Sequence, residues 1–202
     1  MASPLLARIG RQRQRYDNSY RLVAGCIPYR LKEEENHFGD LVNRLEVLMV
    51  STAKRNDLVF PKGGWENDET VDQAACREAL EEAGVKGKIS EDPLGHWIFR
   101  SKSSQNNCSP EGACKGYIFA LEVNEELDYW PEQASHGRRW VSVMDAYKLC
   151  RYEWMCEALD LLLQFLSESK LATSAPELPG PSTLCKILST AAESAERAIA
   201  LC

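Results

Sequence analysis

Residues 60–87 read FPKGGWENDETVDQAACREALEEAGVKG, and this stretch holds the most informative pattern in the sequence. Within it, one arginine and three glutamates crowd into six residues, after a pair of glycines and before a third. Like charges on one helical turn repel each other by about a few tenths of a kcal/mol per pair. A positive partner is therefore expected to offset the repulsion. The residues are Gly63, Gly64, Arg77, Glu78, Glu81, Glu82 and Gly84.

The second half of this stretch predicts a helix with defined ends. Thr70 is a good N-cap, and Gln73 three residues later completes a capping-box pattern. Gly84 supplies a left-handed C-terminal stop. At about 100° per residue, an apolar face packs on a sheet and the three glutamates point together from the other face. The apolar face is formed by Ala75, Cys76, Ala79, Leu80 and Ala83.

The three clustered carboxylates allow two interpretations: a solvated acidic helix face or a metal site. Glycines flank the cluster on both sides, and Arg77 is positioned to orient the carboxylates. Gly63 and Gly64 also let the backbone approach a ligand closely. These features favour a metal site. Oxygen-only ligands suit hard cations, so Mg²⁺ is expected, with Mn²⁺ as a substitute.

The remaining chain predicts strands first, one helix among them and another after them. Strands are expected over residues 20–31, 44–52, 57–61, 95–102, 114–123 and 138–143, and a helix over 144–169. Pro28 suggests that the first strand is an edge or carries a bulge. This order indicates an α/β fold with a mixed sheet, not a doubly wound one.

Composition divides the chain into three predicted regions. Residues 1–17 form an arginine-rich N-terminal arm, which has the alternative reading of a mitochondrial transit peptide. Residues 18–170 form the main globular domain. Residues 171–202 form a Pro-rich linker and a short amphipathic helix, read as a docking or weakly ordered tail in preference to a partner-binding helix.

Charge and cysteine content limit the class of protein. The 202 residues carry a net charge of -6, which argues against nucleic acid as the main partner. The eight cysteines contain no CxxC pair and are read as reduced thiols. No apolar run reaches the roughly 18 residues of a membrane span. A cytoplasmic location is expected, with the nucleus also open and mitochondria as the alternative. No pattern specifies an oligomeric state.

The spacing within residues 63–85 resembles the Nudix box, G-x5-E-x7-R-E-U-x-E-E-x-G-U, where U is a bulky aliphatic residue. Gly63 opens the pattern and Val85 closes it, and Ala79 at the first U position is the one departure. The resemblance implies a Nudix fold, an α/β/α sandwich around a mixed β-sheet. It also implies a hydrolase acting on a nucleoside diphosphate derivative or a related diphosphate. The matching residues are Gly63, Glu69, Arg77, Glu78, Glu81, Glu82, Gly84 and Val85.

The resemblance also implies roles for the residues of the box. Glu78 and Glu82 would be the principal Mg²⁺ ligands, with the Gly63 carbonyl as a further one. Glu81 would bind another metal ion or help to deprotonate the attacking water. Arg77 would hold the carboxylates, and Glu69 would orient Arg77 or stabilise the loop.

Outside the box, segments between about residues 11 and 165 resemble plant Nudix hydrolases similar to the diphosphoinositol polyphosphate and diadenosine polyphosphate phosphohydrolases. Mg²⁺-dependent cleavage of a phosphoanhydride in such polyanionic small molecules is therefore expected. ADP-ribose, NADH and capped RNA remain alternative substrates, and a non-catalytic domain that senses a ligand is the alternative from another class. Cations must line the pocket, together with the backbone at Gly64. The candidates are Arg21, Lys62, Arg100, Lys102, Lys115, Arg138, Arg139 and Arg151.

Overall fold

The computed structural model describes residues 6–32, 41–51, 58–100 and 113–174, with side chains as far as residue 169. Lys102 and the predicted tail helix lie outside these ranges. The strands are β1 Tyr16–Asp17, β2 Tyr20–Leu31, β3 Leu45–Ser51, β4 Leu58–Val59, β5 Lys62–Gly64, β6 Val85–Ile89, β7 Gly95–Arg100, β8 Ala113–Glu126 and β9 Arg138–Ser142. The helices are α1 Leu41–Arg44, α2 Val71–Glu78, a π-helical turn Ala79–Ala83, α3 Val143–Leu149 and α4 Glu153–Ser174.

Within the described ranges, these nine strands form one mixed sheet. Its central path is β4-β3-β2-β8-β6, while β1 and β5 pair with β2, β7 pairs with β8, and β9 pairs with β3. Strands β2 and β8 run parallel, and every other pairing is antiparallel. The predicted mixed sheet of an α/β fold is thereby confirmed.

Helices cover both faces of this sheet. Successive strand residues point to opposite sides, so the strand register shows which face each residue lies on. Gly63 pairs in register with Ala24, and a Cβ on Gly63 would meet the carboxylate of Glu78, so this face carries α2. The other face carries α4, where Trp154 stacks on Phe99 at 5.3 Å between ring centroids. We call them the α2 face and the α4 face. The α/β/α sandwich expected from the resemblance is present.

Apolar side chains on both faces form the core. Each fully buried aliphatic or aromatic side chain contributes about 1.5–3 kcal/mol. The largest fully buried ones include Ile27, Leu48 and Phe119 on strands, Met155 and Leu162 on α4, and Phe60 between β4 and β5. The five cysteines in the described ranges are free thiols, as predicted for them.

The expected edge position of β2 is wrong, because β2 has partners on both sides. It pairs with β8 from Arg21 to Tyr29 on one side. On the other side β2 pairs with β5 as far as Gly25 and with β3 from Tyr29 onwards. The N–H of Cys26 donates to Pro61 on this second side, and the alternation places the nitrogen of Pro28 there too. Pro28, which has no N–H to donate, therefore lies between the part of β2 that pairs with β5 and the part that pairs with β3.

Three further differences concern short elements. The single helix expected over 144–169 is two helices, α3 and α4, with a break at residues 150–152. Residues 62–64 and 85–89 were not expected to be strands, but they form β5 and β6. Both are stabilised by pairing with distant strands, β2 and β8, which a local pattern does not report.

Contacts divide the chain into two units, Met1–Ser167 and Glu168–Cys202. The first unit holds the sheet described above. The three predicted regions remain a prediction. Among the described residues, every helix is too short or too polar to cross a lipid bilayer.

Candidate active site

The helix that carries the glutamates has the predicted ends. The Thr70 N–H donates to Gln73 Oε1 at 3.0 Å, as expected for the predicted capping box. Gly84 adopts φ 64°, the left-handed conformation expected at the C-terminal stop. A Cβ at Gly84 would also lie 2.8 Å from the Trp130 side chain, so this position requires glycine for space as well as for conformation.

The predicted assignment of helix faces is wrong in one respect. Glu78 and Glu81 are 8% and 6% exposed, so these carboxylates are buried and do not lie on a face opposite to the core. Cys76 and Leu80 are only half-buried and line an apolar cavity of about 300 Å³. The helix changes from α to π geometry at Ala79, so the rotation of 100° per residue does not hold through the cluster.

Arg77 is the centre of a hydrogen-bonded network. Its Nε and Nη2 donate to the two carboxylate oxygens of Glu69, at 2.9 and 2.8 Å. Its Nη1 donates to Glu78 Oε1 at 2.7 Å and to Glu81 Oε2 at 3.1 Å. Its Nη2 also donates to the Gly64 carbonyl at 2.8 Å. One guanidinium thus fixes three carboxylates and the backbone of β5.

Strand β5 brings backbone against the carboxylates. A Cβ at Gly63 would lie 2.2 Å from Glu78 Oε2, so only glycine permits this approach. The Lys62 N–H donates to Glu82 Oε2 at 3.0 Å. Glu78 and Glu82 therefore meet the same three-residue strand.

Burial makes the charged state of these glutamates costly. Burial first, and then the charge of Glu82, raise the pKa of Glu78 to about 8. Burial likewise raises the pKa of Glu81 and of Glu82. At Glu69 burial acts in the same direction, but the hydrogen bonds from Arg77 and the Glu66 N–H outweigh it and lower the pKa. Arg77 therefore does not neutralise the whole cluster.

This donor set fits a divalent cation. Buried carboxylates with raised pKa values lack positive charge, and a cation among their oxygens would supply it. Glu78 and Glu82 both reach β5, Glu78 at Gly63 and Glu82 at the Lys62 N–H. The Gly63 carbonyl, predicted as a further ligand, faces β2 instead, because Gly63 pairs in register with Ala24 while the Lys62 N–H and the Gly64 carbonyl face the helix. Glu78 and Glu82 would hold the ion.

Two residues near Glu82 were missed in the sequence. Glu132 Oε2 lies 2.9 Å from His136 Nδ1, and His136 Nε2 lies 3.9 Å from Glu82 Oε1. Ligand atoms of these three side chains all lie within 4.8 Å of one another. The backbone joins the two segments as well, since the Glu132 N–H donates to the Glu81 carbonyl at 3.0 Å. The i, i+4 spacing of Glu132 and His136 could have indicated that these two side chains are neighbours. It could not predict that they lie close to Glu82.

Two of the predicted pocket cations lie close together on the α4 face. Lys62 pairs in register with Gly25, and Arg21 with Cys114. Burial raises the pKa of the Cys114 thiol, and three positive charges act against that rise, those of Arg21, Lys62 and Arg11. A Cβ on Gly64 would lie 2.9 Å from Arg21 Nη2, so this glycine makes room for the guanidinium.

The other predicted cations are distributed elsewhere. Lys115 lies on the α2 face and pairs with Asp17 at 3.2 Å. Arg138 donates to the carbonyls of Ala83 and Gly84, both at 3.1 Å, and so caps the π-helical turn. Of the remaining three, Arg139 is exposed and pairs in register with Met49, Arg100 ends β7 opposite Ala113, and Arg151 lies over the Tyr152 ring.

Fold, box geometry and comparison define the same class of protein. The NUDIX domain family matches residues 22–161, and the chain belongs to this family. It is a Nudix phosphoanhydride hydrolase, a class that generally uses divalent metal ions and acts on small molecules.

Similar proteins come from plants and animals. The chain is 60% identical over 171 residues to Nudix hydrolase 13, mitochondrial, of Arabidopsis thaliana, covering 82% of this chain and 85% of that protein. It is 32% identical over 179 residues to diphosphoinositol polyphosphate phosphohydrolase 2 of Mus musculus, covering 86% and 88%. A crystal structure of a C. elegans Ap4A hydrolase binary complex has the same fold, with a TM-score of 0.52 at 24% identity, covering 73% of this chain and 98% of that one.

The pKa of Glu78 makes the stability of the metal-free protein depend on pH. A carboxyl whose pKa rises from 4.5 to about 8 on folding binds a proton more tightly in the folded state. Its contribution to stability is complete below pH 4.5 and is lost as the pH rises towards 8. In chelator, the free energy of unfolding should therefore fall by up to about 1.4 kcal/mol per pH unit in this window.

Glu78→Gln should flatten that decline, and Mg²⁺ should restore stability at pH 8 to the wild type but not to this variant. Urea denaturation in chelator and in Mg²⁺, from pH 5 to 8, measures both effects. Glu91→Gln, at an exposed position, is the matched control. Identical pH profiles for Glu78→Gln and wild type would contradict the assignment.

Proposed function

We propose that this chain cleaves a phosphoanhydride bond of diphosphoinositol polyphosphates, diadenosine polyphosphates, or both, with Mg²⁺ as the ion and Mn²⁺ as a substitute. The observation that carries the proposal is the convergence of buried carboxylates on β5, next to cations that lie within range of Cys114. A phosphate-rich substrate needs both features, a metal site at the bond to be broken and positive charge beside it.

The residues of the site would have separate roles in metal binding, proton transfer and alignment of the carboxylates. Glu78 and Glu82 would hold the ion, and Glu81 would hold a further ion or accept the proton of the attacking water. When bound, a divalent cation neutralises phosphate oxygens and lowers the pKa of a coordinated water. Arg77 and Glu69 keep the carboxylates aligned. Glu132 and His136 lie within reach of Glu82, and the imidazole nitrogen favours Mn²⁺ over Mg²⁺ at that position.

The pocket for the anionic substrate would lie on the α4 side of β5. Arg21 and Lys62 have no carboxylate within 4.0 Å among the described residues, whereas Lys115 pairs with Asp17 at 3.2 Å. Cations without a direct ion pair are available to a polyanion. The similarity to the mouse diphosphoinositol polyphosphate phosphohydrolase supports this substrate class. Arg11 joins the proposed pocket, while Arg138 is engaged with the end of the helix.

A substrate panel tests the activity. The protein with Mg²⁺ should have its highest kcat/KM on diphosphoinositol polyphosphates or on diadenosine penta- and hexaphosphates, above ADP-ribose, NADH and capped RNA. Glu82→Gln should reduce kcat by at least about 100-fold, because it removes a proposed ligand. Its fold should be unchanged by circular dichroism.

Glu125→Gln, which changes an exposed carboxylate on β8, is the control and should retain wild-type kcat. A higher kcat/KM on ADP-ribose or NADH than on the polyphosphates would contradict the proposed substrate and assign the chain to another Nudix substrate class. Tight binding of a polyphosphate without turnover would favour a ligand sensor, although every glutamate of the box is present.

The cations make a separate prediction. Lys62→Ala and Arg21→Ala should each raise KM for the most anionic substrate by about tenfold, since each removes a charge-assisted contact. The effect on KM for ADP-ribose should be smaller, because it carries fewer phosphates. Lys148→Ala, on the exposed surface of α3, should change neither value. Unchanged KM in both pocket variants would refute this position for the substrate.

We also propose a mitochondrial location, in place of the cytoplasmic one expected at first. Three similar Arabidopsis proteins, at 60%, 59% and 50% identity, carry the word mitochondrial in their names. Import of the radiolabelled full chain into isolated plant mitochondria should give a protease-protected product that depends on membrane potential. Exclusion of the chain from the organelle would favour the cytoplasm.

A further inference from the structure

Residues 6–15 of the N-terminal arm are bound along the loop that precedes α2. The Arg15 N–H donates to the Trp65 carbonyl at 2.9 Å, and the Asn67 N–H donates to the Arg13 carbonyl at 2.8 Å. Gln14 and Glu66 form an antiparallel bridge between the two hydrogen bonds. The arm is therefore paired with the loop through its backbone.

Side-chain charges of opposite sign reinforce this pairing. Arg8 Nη1 lies 2.6 Å from Glu66 Oε2, 3.0 Å from Asp68 Oδ1 and 3.8 Å from Glu69 Oε2. Arg13 Nη1 contacts Asp68 as well. The arm carries little buried apolar surface, because Leu6 and Ile9 are largely exposed. Charge and hydrogen bonding, more than apolar burial, hold it in place.

The arm also reaches the glutamate cluster directly. The backbone N–H of Arg8 donates to Glu81 Oε1 at 3.2 Å, while the other oxygen of Glu81 accepts from Arg77 at 3.1 Å. Both oxygens of this carboxylate are thereby fixed, one by the helix and one by the arm. The Arg8 guanidinium also approaches Glu69, whose carboxylate holds Arg77. The arm thus touches the Arg77 network at two points.

We propose that the arm is a positioning element of the active site, and that Arg8 is its positioning residue. The Arg8 guanidinium anchors the arm on the acidic loop, and the Arg8 amide sets the orientation of Glu81. This inference rests on the proposed role of Glu81 at the metal site. It requires that the folded enzyme retain Arg8, so a leader cleaved beyond this residue would leave Glu81 with one partner fewer.

Two substitutions at Arg8 separate the anchor from the amide. Arg8→Ala removes the guanidinium and keeps the N–H, while Arg8→Pro removes both, because proline has no N–H. Gln12→Pro controls for proline in the arm, since residue 12 is the second position of the turn closed by the Gln14 N–H to the Arg11 carbonyl, where proline is favoured. Lys88→Ala controls for the loss of one exposed positive charge.

Mn²⁺ binding to the full chain, followed by electron paramagnetic resonance without substrate, is the primary readout. Arg8→Ala should weaken Mn²⁺ affinity about tenfold and Arg8→Pro further, as for other residues that orient metal ligands. At a fixed Mn²⁺ concentration kcat should fall with KM unchanged. Urea denaturation in chelator verifies that each variant folds, and Arg8→Ala remains informative if Arg8→Pro does not fold.

Mn²⁺ affinities of both Arg8 variants equal to those of Gln12→Pro and Lys88→Ala would overturn the proposal. A KM rise without a change in Mn²⁺ affinity would overturn it as well, because it would assign Arg8 to substrate binding. The binding assay needs no substrate. Failure of the wild type on every compound of the panel would therefore reject the proposed function and leave this test intact.

Discussion

The contact between Arg77 and its carboxylates is the constraint on which the site depends. Glu69, Glu78 and Glu81 all accept from this one guanidinium, and all three are buried. A single positive charge cannot match three negative ones, and Glu82 adds a fourth nearby. Buried charges without partners are strongly unfavourable, so the arrangement is stable only if protons or a cation supply the missing charge. At neutral pH in the presence of divalent ions, we expect a bound cation to provide this positive charge.

The fold provides the surroundings that this cluster needs. Strand β5 places Gly63 where no side chain fits, so backbone lies directly against Glu78. The π-helical turn Ala79–Ala83 changes the direction of the glutamates relative to a regular helix, and Arg138 caps the end of that turn. The segment that bears Glu132 binds the same turn through the Glu81 carbonyl. Each contact joins residues far apart in the sequence, and together they fix carboxylates that would otherwise repel one another.

Local sequence information predicted those features that local interactions decide. The capping pair Thr70 and Gln73 and the stop at Gly84 were predicted because they depend on near neighbours. The burial of Glu78, the strands β5 and β6, and the approach of Glu132 and His136 to Glu82 were not. They depend on pairing and packing between distant segments. The predicted cations illustrate the same limit, since Arg21 and Lys62 are neighbours in the fold while Lys115 is matched by Asp17.

Anomalous X-ray diffraction from crystals soaked in Mn²⁺ tests whether Glu78 and Glu82 hold a divalent cation, because it locates the ion without reference to any substrate. We expect an anomalous peak bonded to carboxylate oxygens of Glu78 and Glu82, with Arg77 still bound to Glu69. A crystal that diffracts well, in which Mn²⁺ binds elsewhere and these carboxylates contact only Arg77 and solvent, would contradict this assignment.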